Sequence, residues 1–208
     1  MRPRRLTGAT PLILLLGLGG FACDRAPVGQ IDFADLRGPE VRPPLEKPDL
    51  YLRDTEGRLF SLKPETEGRL TLLLFGYTHC PDVCPVHLAN IAGAVKQLPP
   101  ADQAKIRVVF VTVDPARDTA AALREYLDRF DRRFIGLTGD SASVAWVFTQ
   151  LRLDHPMDHA VEVDRNVYTI AHNALVLAFT RDNLAHVAYP FGMKPADWAH
   201  DLARLVKD

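Results

Sequence analysis

The chain is predicted to be an α/β protein, with a mixed central sheet flanked by helices and an N-terminal β-hairpin extension. Three observations predict it. Residues 70–75 and 106–113 form two apolar runs, the second rich in β-branched side chains, of the kind a strand shows when both its faces are buried. Apolar residues recur at helical spacing after each run. The full order of segments, ββ-β-α-β-α-β-α-β-β-α, alternates strands with helices and ends in a strand pair and a helix. A length of 208 residues, 47% hydrophobic and 25% charged, suits one ordinary domain plus extensions.

The domain is expected over residues 49–208. Leu50-Tyr51-Leu52 and Leu59-Phe60-Ser61-Leu62 flank Asp54-Thr55-Glu56-Gly57, a hairpin turn. Beyond the first apolar run, Cys84, Leu88, Ile91, Val95 and Leu98 mark a helix that Pro99-Pro100 stops. Beyond the second, Asp118 or Thr119 caps a helix whose apolar face is Leu123, Tyr126, Leu127 and Phe130. Residues 134–137 form a short strand, and 141–151 a helix carrying Val144, Val147 and Phe148. Strands at 174–179 and 184–189 are joined by Arg181-Asp182-Asn183, and a helix at 197–206 closes the chain. Ligands on such sheets lie beyond the carboxyl ends of parallel strands. Cys80 follows the end of the first apolar run and Asp114 the end of the second.

Residues 1–22 have the make-up of an export signal. Arg2, Arg4 and Arg5 precede an apolar stretch at 12–18 that is too short to span a bilayer comfortably. Gly19-Gly20-Phe21-Ala22-Cys23 then looks like the cleavage region of a bacterial lipoprotein with Cys23 lipidated, although Gly20 stands where leucine is usual. An uncleaved anchor or simple secretion are the alternatives. Residues 23–48 hold Pro27, Pro39, Pro43, Pro44 and Pro48 and read as an extended tether, with Ile31, Phe33 and Leu36 able to pack partly on the domain. The expected location is the periplasmic face of a bacterial inner membrane. Removing residues 1–22 takes away three arginines and no acid, moving the net charge from −1 to −4. No basic stripe interleaved with aromatics is present, so no nucleic-acid partner is expected.

The chemistry concentrates in Cys80-Pro81-Asp82-Val83-Cys84-Pro85. The chain has three cysteines, and Cys23 belongs to the export segment, so thiol chemistry of the domain runs through Cys80 and Cys84. Pro85 lacks a backbone N–H and belongs in a first helical turn, which puts Cys84 near a helix N-terminus. The partial positive charge there is expected to stabilise a thiolate. Thiolates with an imidazole suit Cu(I), Cu(II) or Zn, and two ligands are few for a tight site. Spacing does not choose among the seven histidines: His79 and His87 flank the thiols, His155 and His159 bracket Met157, His172 precedes a buried strand, and His186 and His200 fit a surface strand and the last helix. The His155-Met157-His159 loop is either an ordinary exposed loop or a secondary copper-capture patch. Asp114 and Arg117 form a second polar cluster. They either tune the thiols or a docked partner, or order the turn as an ion pair.

Residues 75–85, Phe75-Gly76-Tyr77-Thr78-His79-Cys80-Pro81-Asp82-Val83-Cys84-Pro85, resemble the signature of the Sco/SenC family of copper-binding, thioredoxin-like proteins. Val113-Asp114-Pro115-Ala116-Arg117-Asp118-Thr119 resembles that family's second block, and Tyr168-Thr169-Ile170-Ala171-His172-Asn173 its third. The resemblance covers residues 40–208. It implies a thioredoxin-like fold, copper held by Cys80, Cys84 and His172, and a part in assembling the binuclear copper centre of cytochrome oxidase. The partner would be the oxidase's copper-bearing subunit or another copper chaperone. The family's usual aspartate before the histidine is Ala171 here, which removes a carboxylate able to orient the imidazole.

Two functions compete on that resemblance. One is a metallochaperone, which is not an enzyme in the turnover sense and which disulfide formation would switch off. The other is a periplasmic thiol–disulfide reductase that keeps the cysteines of the oxidase or other targets reduced. Thioredoxin-type enzymes place two residues between their cysteines and this chain places three. The Pro-x-x-x-Thr-x-x-Cys setting of a peroxiredoxin is absent before Cys80 and Cys84. A copper or redox sensor would carry the same residues as a chaperone.

Overall fold

The computed structural model describes residues 33–154, 160–164, 167–170 and 175–207. In chain order its elements are a 3-10 turn (Phe33–Asp35), β1 (Glu40–Glu46), β2 (Tyr51–Asp54), β3 (Leu59–Ser61), α1 (Leu62–Glu65), β4 (Leu70–Gly76), α2 (Val83–Lys96), α3 (Pro100–Gln103), β5 (Ile106–Thr112), α4 (Ala120–Asp128), β6 (Ile135–Thr138), α5 (Ser141–Leu151), β7 (Ala160–Asp164), β8 (Val167–Ile170), β9 (Val176–Phe179), β10 (Leu184–Tyr189) and α6 (Pro195–Leu205). Eight strands make one mixed sheet in the order β1-β10-β9-β4-β5-β6-β2-β3, and β7 pairs with β8 alone. Among the described residues, no helix is long and apolar enough to cross a membrane.

The sheet is organised around β4. All seven of its residues are buried, as its unbroken apolar run requires. It runs parallel to β5 in the register Leu70↔Ile106 to Gly76↔Thr112, and antiparallel to β9. β5 in turn runs parallel to β6. Parallel strands need a crossover, and α2 and α4 supply the two. The carboxyl ends of β4 and β5 therefore lie side by side, with the loops at 77–82 and 113–119 leaving the same edge. The predicted hairpin is β2 and β3, added antiparallel outside β6. Its turn is tied by Asp54, whose carboxylate accepts from the Glu56 and Arg58 amides at 2.9 Å each, and Gly57 takes φ 78°, where a Cβ would be strained.

Several elements depart from expectation. Residues 23–48 were expected to be a tether, but from Phe33 onward they belong to the domain. β1 pairs antiparallel with β10, Leu36 is buried, and Phe33 stacks on His186 with centroids 4.7 Å apart. The reason is Asp201 on α6. Its fully buried carboxylate accepts from the amides of Arg37 (3.0 Å) and Gly38 (2.9 Å) and from the Tyr189 hydroxyl (3.1 Å), clasping the incoming chain to the last helix. The prolines are tolerated because β1 is an edge strand, and its register shifts between Glu40 and Leu45, the stretch that holds Pro43 and Pro44. Pro99 ends α2 as expected but also precedes the short α3, with Pro100 in its first turn. β7 and β8 fall where no strand was expected. The α4 cap is Thr119, whose hydroxyl accepts from the Ala122 amide at 3.2 Å.

Lys47, just after β1, is buried and donates to Thr66 Oγ1 (3.0 Å) and Thr71 Oγ1 (3.2 Å), with no ion pair to a carboxylate among the described residues. Burial pushes its pKa down from 10.5 to about 8, against the opposing pull of Asp182 and Glu67. Between pH 8 and 10.5 the unfolded chain then binds more protons than the folded one. Stability should rise with pH across that window, and the penalty is fully present below pH 8. Lys47→Met is expected to raise the melting temperature at pH 7 and to flatten the rise between pH 8 and 10. Calorimetry across pH checks both.

Candidate metal centre

The thiols sit where β4 hands the chain to α2. Tyr77 begins the loop, and its carbonyl accepts from the Cys80 amide at 3.1 Å. Asp82 caps α2 by accepting from the Val83 amide at 2.7 Å, so Cys84 falls in the first turn as expected. The Cys84 amide, one of the helix's otherwise unpaired donors, points at Cys80 Sγ at 3.3 Å. Both cysteines are thiols and both are buried. The expectation of a helix-stabilised thiolate at Cys84 is therefore corrected. The N-terminal donor is directed to the sulfur of Cys80, while the hydrogen bond with Cys80 and burial push the Cys84 thiol well above its ordinary range.

The glycine of Phe75-Gly76-Tyr77 now has a physical reason. A Cβ at Gly76 would lie 2.6 Å from Cys84 Sγ and 2.9 Å from the Phe110 ring. The strand end must be bare so that the sulfur can pack against it. Phe110 leads outward to Tyr126 on α4, with ring centroids 6.0 Å apart. The Tyr126 hydroxyl is buried without a hydrogen-bond partner among the described residues, and burial, with the two cysteines behind it, holds its ionisation up.

The two loops are joined by Asp118, which is completely buried. Its carboxylate accepts from the Thr78 amide (2.9 Å) and hydroxyl (2.6 Å) on the first loop and from Thr112 Oγ1 (2.6 Å) at the end of β5. The exposed His79 adds a weaker approach, with Nδ1 3.7 Å from the same carboxylate. Sequence reasoning missed this role, because an Asp before a helix reads as a cap. The usable signal was that Asp118-Thr119 offers two capping residues for one position. Asp114 and Arg117 form an ion pair, and the Asp114 carbonyl accepts from the Arg117 (3.1 Å) and Asp118 (2.9 Å) amides, which orders the turn. The Arg117 guanidinium also lies 5.8 Å from the Tyr77 ring centroid. His87, one turn beyond Cys84, is buried edge-on to Trp198 (6.1 Å) and Phe191 (5.9 Å), where it helps α2 pack on α6.

His172, Ala171, the His155-Met157-His159 loop and Cys23 lie outside the described residues. Among the described residues, no cluster of three or more His, Cys, Asp or Glu is placed to hold a metal.

Sheet, crossover helices and a thiol pair at the start of the first of those helices define a thioredoxin-like dithiol protein. The SCO1/SenC family pattern matches residues 42–207. A mitochondrial SCO2 homologue from Bos taurus is 35% identical over 140 residues, covering 61% of this chain and 50% of its own length. A SCO2-like protein from Rickettsia conorii is 37% identical over 128 residues, covering 61% and 60%. The chain thus spans half to three-fifths of the length of these two relatives. The structure of Bradyrhizobium japonicum ScoI with copper bound superposes with a TM-score of 0.67 at 35% identity, over 77% of this chain and 99% of that one. The chain belongs to the SCO1/SenC family.

Asp118→Asn keeps the size of the side chain but turns one acceptor into a donor facing Thr78 or Thr112. It is expected to cost ~1–3 kcal/mol of unfolding free energy in urea titrations. Gly76→Ala is expected to cost about as much by overpacking. It should also expose the thiols, read as faster reaction with a disulfide reagent.

Proposed function

We propose that the protein is a Sco-type copper metallochaperone, taking copper as cargo at Cys80, Cys84 and His172 and serving assembly of the binuclear copper centre of cytochrome oxidase. The observation that carries this reading is the pair of buried thiols at the start of α2, with the Cys84 amide on the Cys80 sulfur. Two sulfur donors and an imidazole make a soft set suited to copper, and burial limits competition from water. Binding replaces the thiol protons with the metal, so the reduced dithiol is the competent form. The copper-bound ScoI relative supports the cargo, and the family supports the oxidase as destination. Residues 1–22 and Cys23 would hold the domain at the periplasmic face of a bacterial inner membrane, by lipidation or an uncleaved anchor.

A thiol–disulfide reductase uses the same pair. Cys80 and Cys84 would become a disulfide while two electrons and two protons pass to a target disulfide. Ala171, in place of a carboxylate beside His172, favours this second reading by weakening control of the imidazole.

Titrating the reduced full chain with Cu(I) and Cu(II), and repeating with Cys80→Ala and His172→Ala, separates the two. The chaperone binds one equivalent with copper–thiolate charge-transfer absorption. It loses that absorption in Cys80→Ala, and affinity falls by about tenfold or more in His172→Ala. Absence of binding beside a readily cycled Cys80–Cys84 disulfide selects the reductase. Unchanged affinity in His172→Ala removes that residue from the site.

A further inference from the structure

At the sheet edge opposite the thiols, a cleft of about 560 Å³ opens between α3 and the first residues of β5 and β6. This is within the size range of small-ligand sites. Its floor is apolar: Val95, Pro100, Ile106, Val108 and Phe134. Through Arg107, Arg133, Phe134 and Ile135, which line both, it continues into a second hollow of about 310 Å³ that adds Arg58, Arg124 and Arg132 together with the carboxylates of Asp54, Glu56 and Glu65.

The charges of this groove are unevenly answered. Arg133 is held by Asp131, Arg58 by Asp54 and Glu56, and Arg124 by Asp128 through its Nε. Arg107 and Arg132 make no ion pair with a carboxylate among the described residues, and nor does Arg69 beside them. Arg107 donates only to the carbonyls of Ala104 (3.1 Å) and Ile106 (2.9 Å). The Ala104 oxygen also accepts from Arg69 at 2.7 Å, so two guanidinium groups converge on one carbonyl. Burial and the charge of Arg69 lower the Arg107 pKa. Arg124 Nη1 donates to the Phe134 carbonyl at 2.8 Å, and its Nη2 is buried with no hydrogen-bond partner among the described residues. A guanidinium left partly unpaired is disfavoured by burial, and a planar anion is the partner its fork matches.

We propose that this cleft is a binding site for a carboxylate carried on an apolar body. The carboxylate lies between Arg107 and Arg132, and the body rests on Ile106, Val108 and Phe134. The ligand approaches from the edge away from Cys80 and Cys84, so it binds without displacing copper. The same chemistry has two sources: a free aromatic or aliphatic acid, or an acidic residue beside an apolar one on a segment of a partner protein.

The test is amide chemical-shift mapping on the full ¹⁵N-labelled chain. The probes are phenylacetate, its uncharged analogue phenylacetamide, and the capped tripeptide acetyl-Leu-Glu-Leu-amide. Saturable shifts are expected at Ala104, Ile106, Phe134 and Ile135 with phenylacetate or the peptide. Phenylacetamide should bind about tenfold more weakly or worse. Arg107→Gln with Arg132→Gln should weaken binding about tenfold. Arg132→Gln alone, at an exposed position, keeps the test valid should the double variant fail to fold, with a smaller loss in the same direction. Tighter binding of phenylacetate identifies a free acid as the source, and tighter binding of the peptide a partner segment. No saturable shift with either, or affinities equal for phenylacetate and phenylacetamide, or unchanged in Arg132→Gln, overturns the proposal.

Discussion

The thiol end of the molecule depends on one buried carboxylate. β4 and β5 end side by side because their pairing is parallel and in register to Gly76↔Thr112. Parallel strands leave two adjacent loops at that edge with no hairpin to join them. Asp118 joins them instead, accepting from Thr78 on one loop and from Thr112 at the end of the other strand. The Thr78 contact fixes the chain two residues before Cys80, and the Asp82 cap fixes it two residues before Cys84. The chain on either side of the sulfurs is thus fixed by hydrogen bonds, and the Cys84 amide on Cys80 Sγ ties the two residues together.

That scaffold sets the chemistry. Cys84 Sγ occupies the space a side chain at Gly76 would take, so the sulfur is packed against strand and Phe110 on one side. The hydrogen bond with Cys80 and burial both disfavour its thiolate. A buried pair of soft sulfur donors set side by side suits both metal capture and two-electron exchange.

Much of this was legible in the sequence. The runs at 70–75 and 106–113 announced β4 and β5 because burial on both faces leaves no polar alternation to hide them. The helix at 141–151 and the strand at 184–189 match α5 and β10 residue for residue. The pairing of Asp114 with Arg117 and the position of Cys84 in a first helical turn followed from local rules. What was hidden depended on distant partners. β1 contains two prolines and no alternation, and it exists because Asp201, more than 160 positions away, accepts the amides of Arg37 and Gly38. Asp118 looked like a cap because capping is local, while its true donors on Thr78 are 40 positions back. Lys47 showed no sign of burial, since nothing near it in sequence says that β9 and β4 will close over it.

The central claim is that Cys80 and Cys84 together hold one copper ion, with an imidazole from His172. X-ray absorption at the copper edge, on the full chain loaded with one equivalent of Cu(I), tests it most directly. The account predicts two sulfur scatterers and one imidazole in wild type, and one sulfur in Cys84→Ala. Copper surrounded only by nitrogen and oxygen, or a sulfur count unchanged in Cys84→Ala, would contradict it.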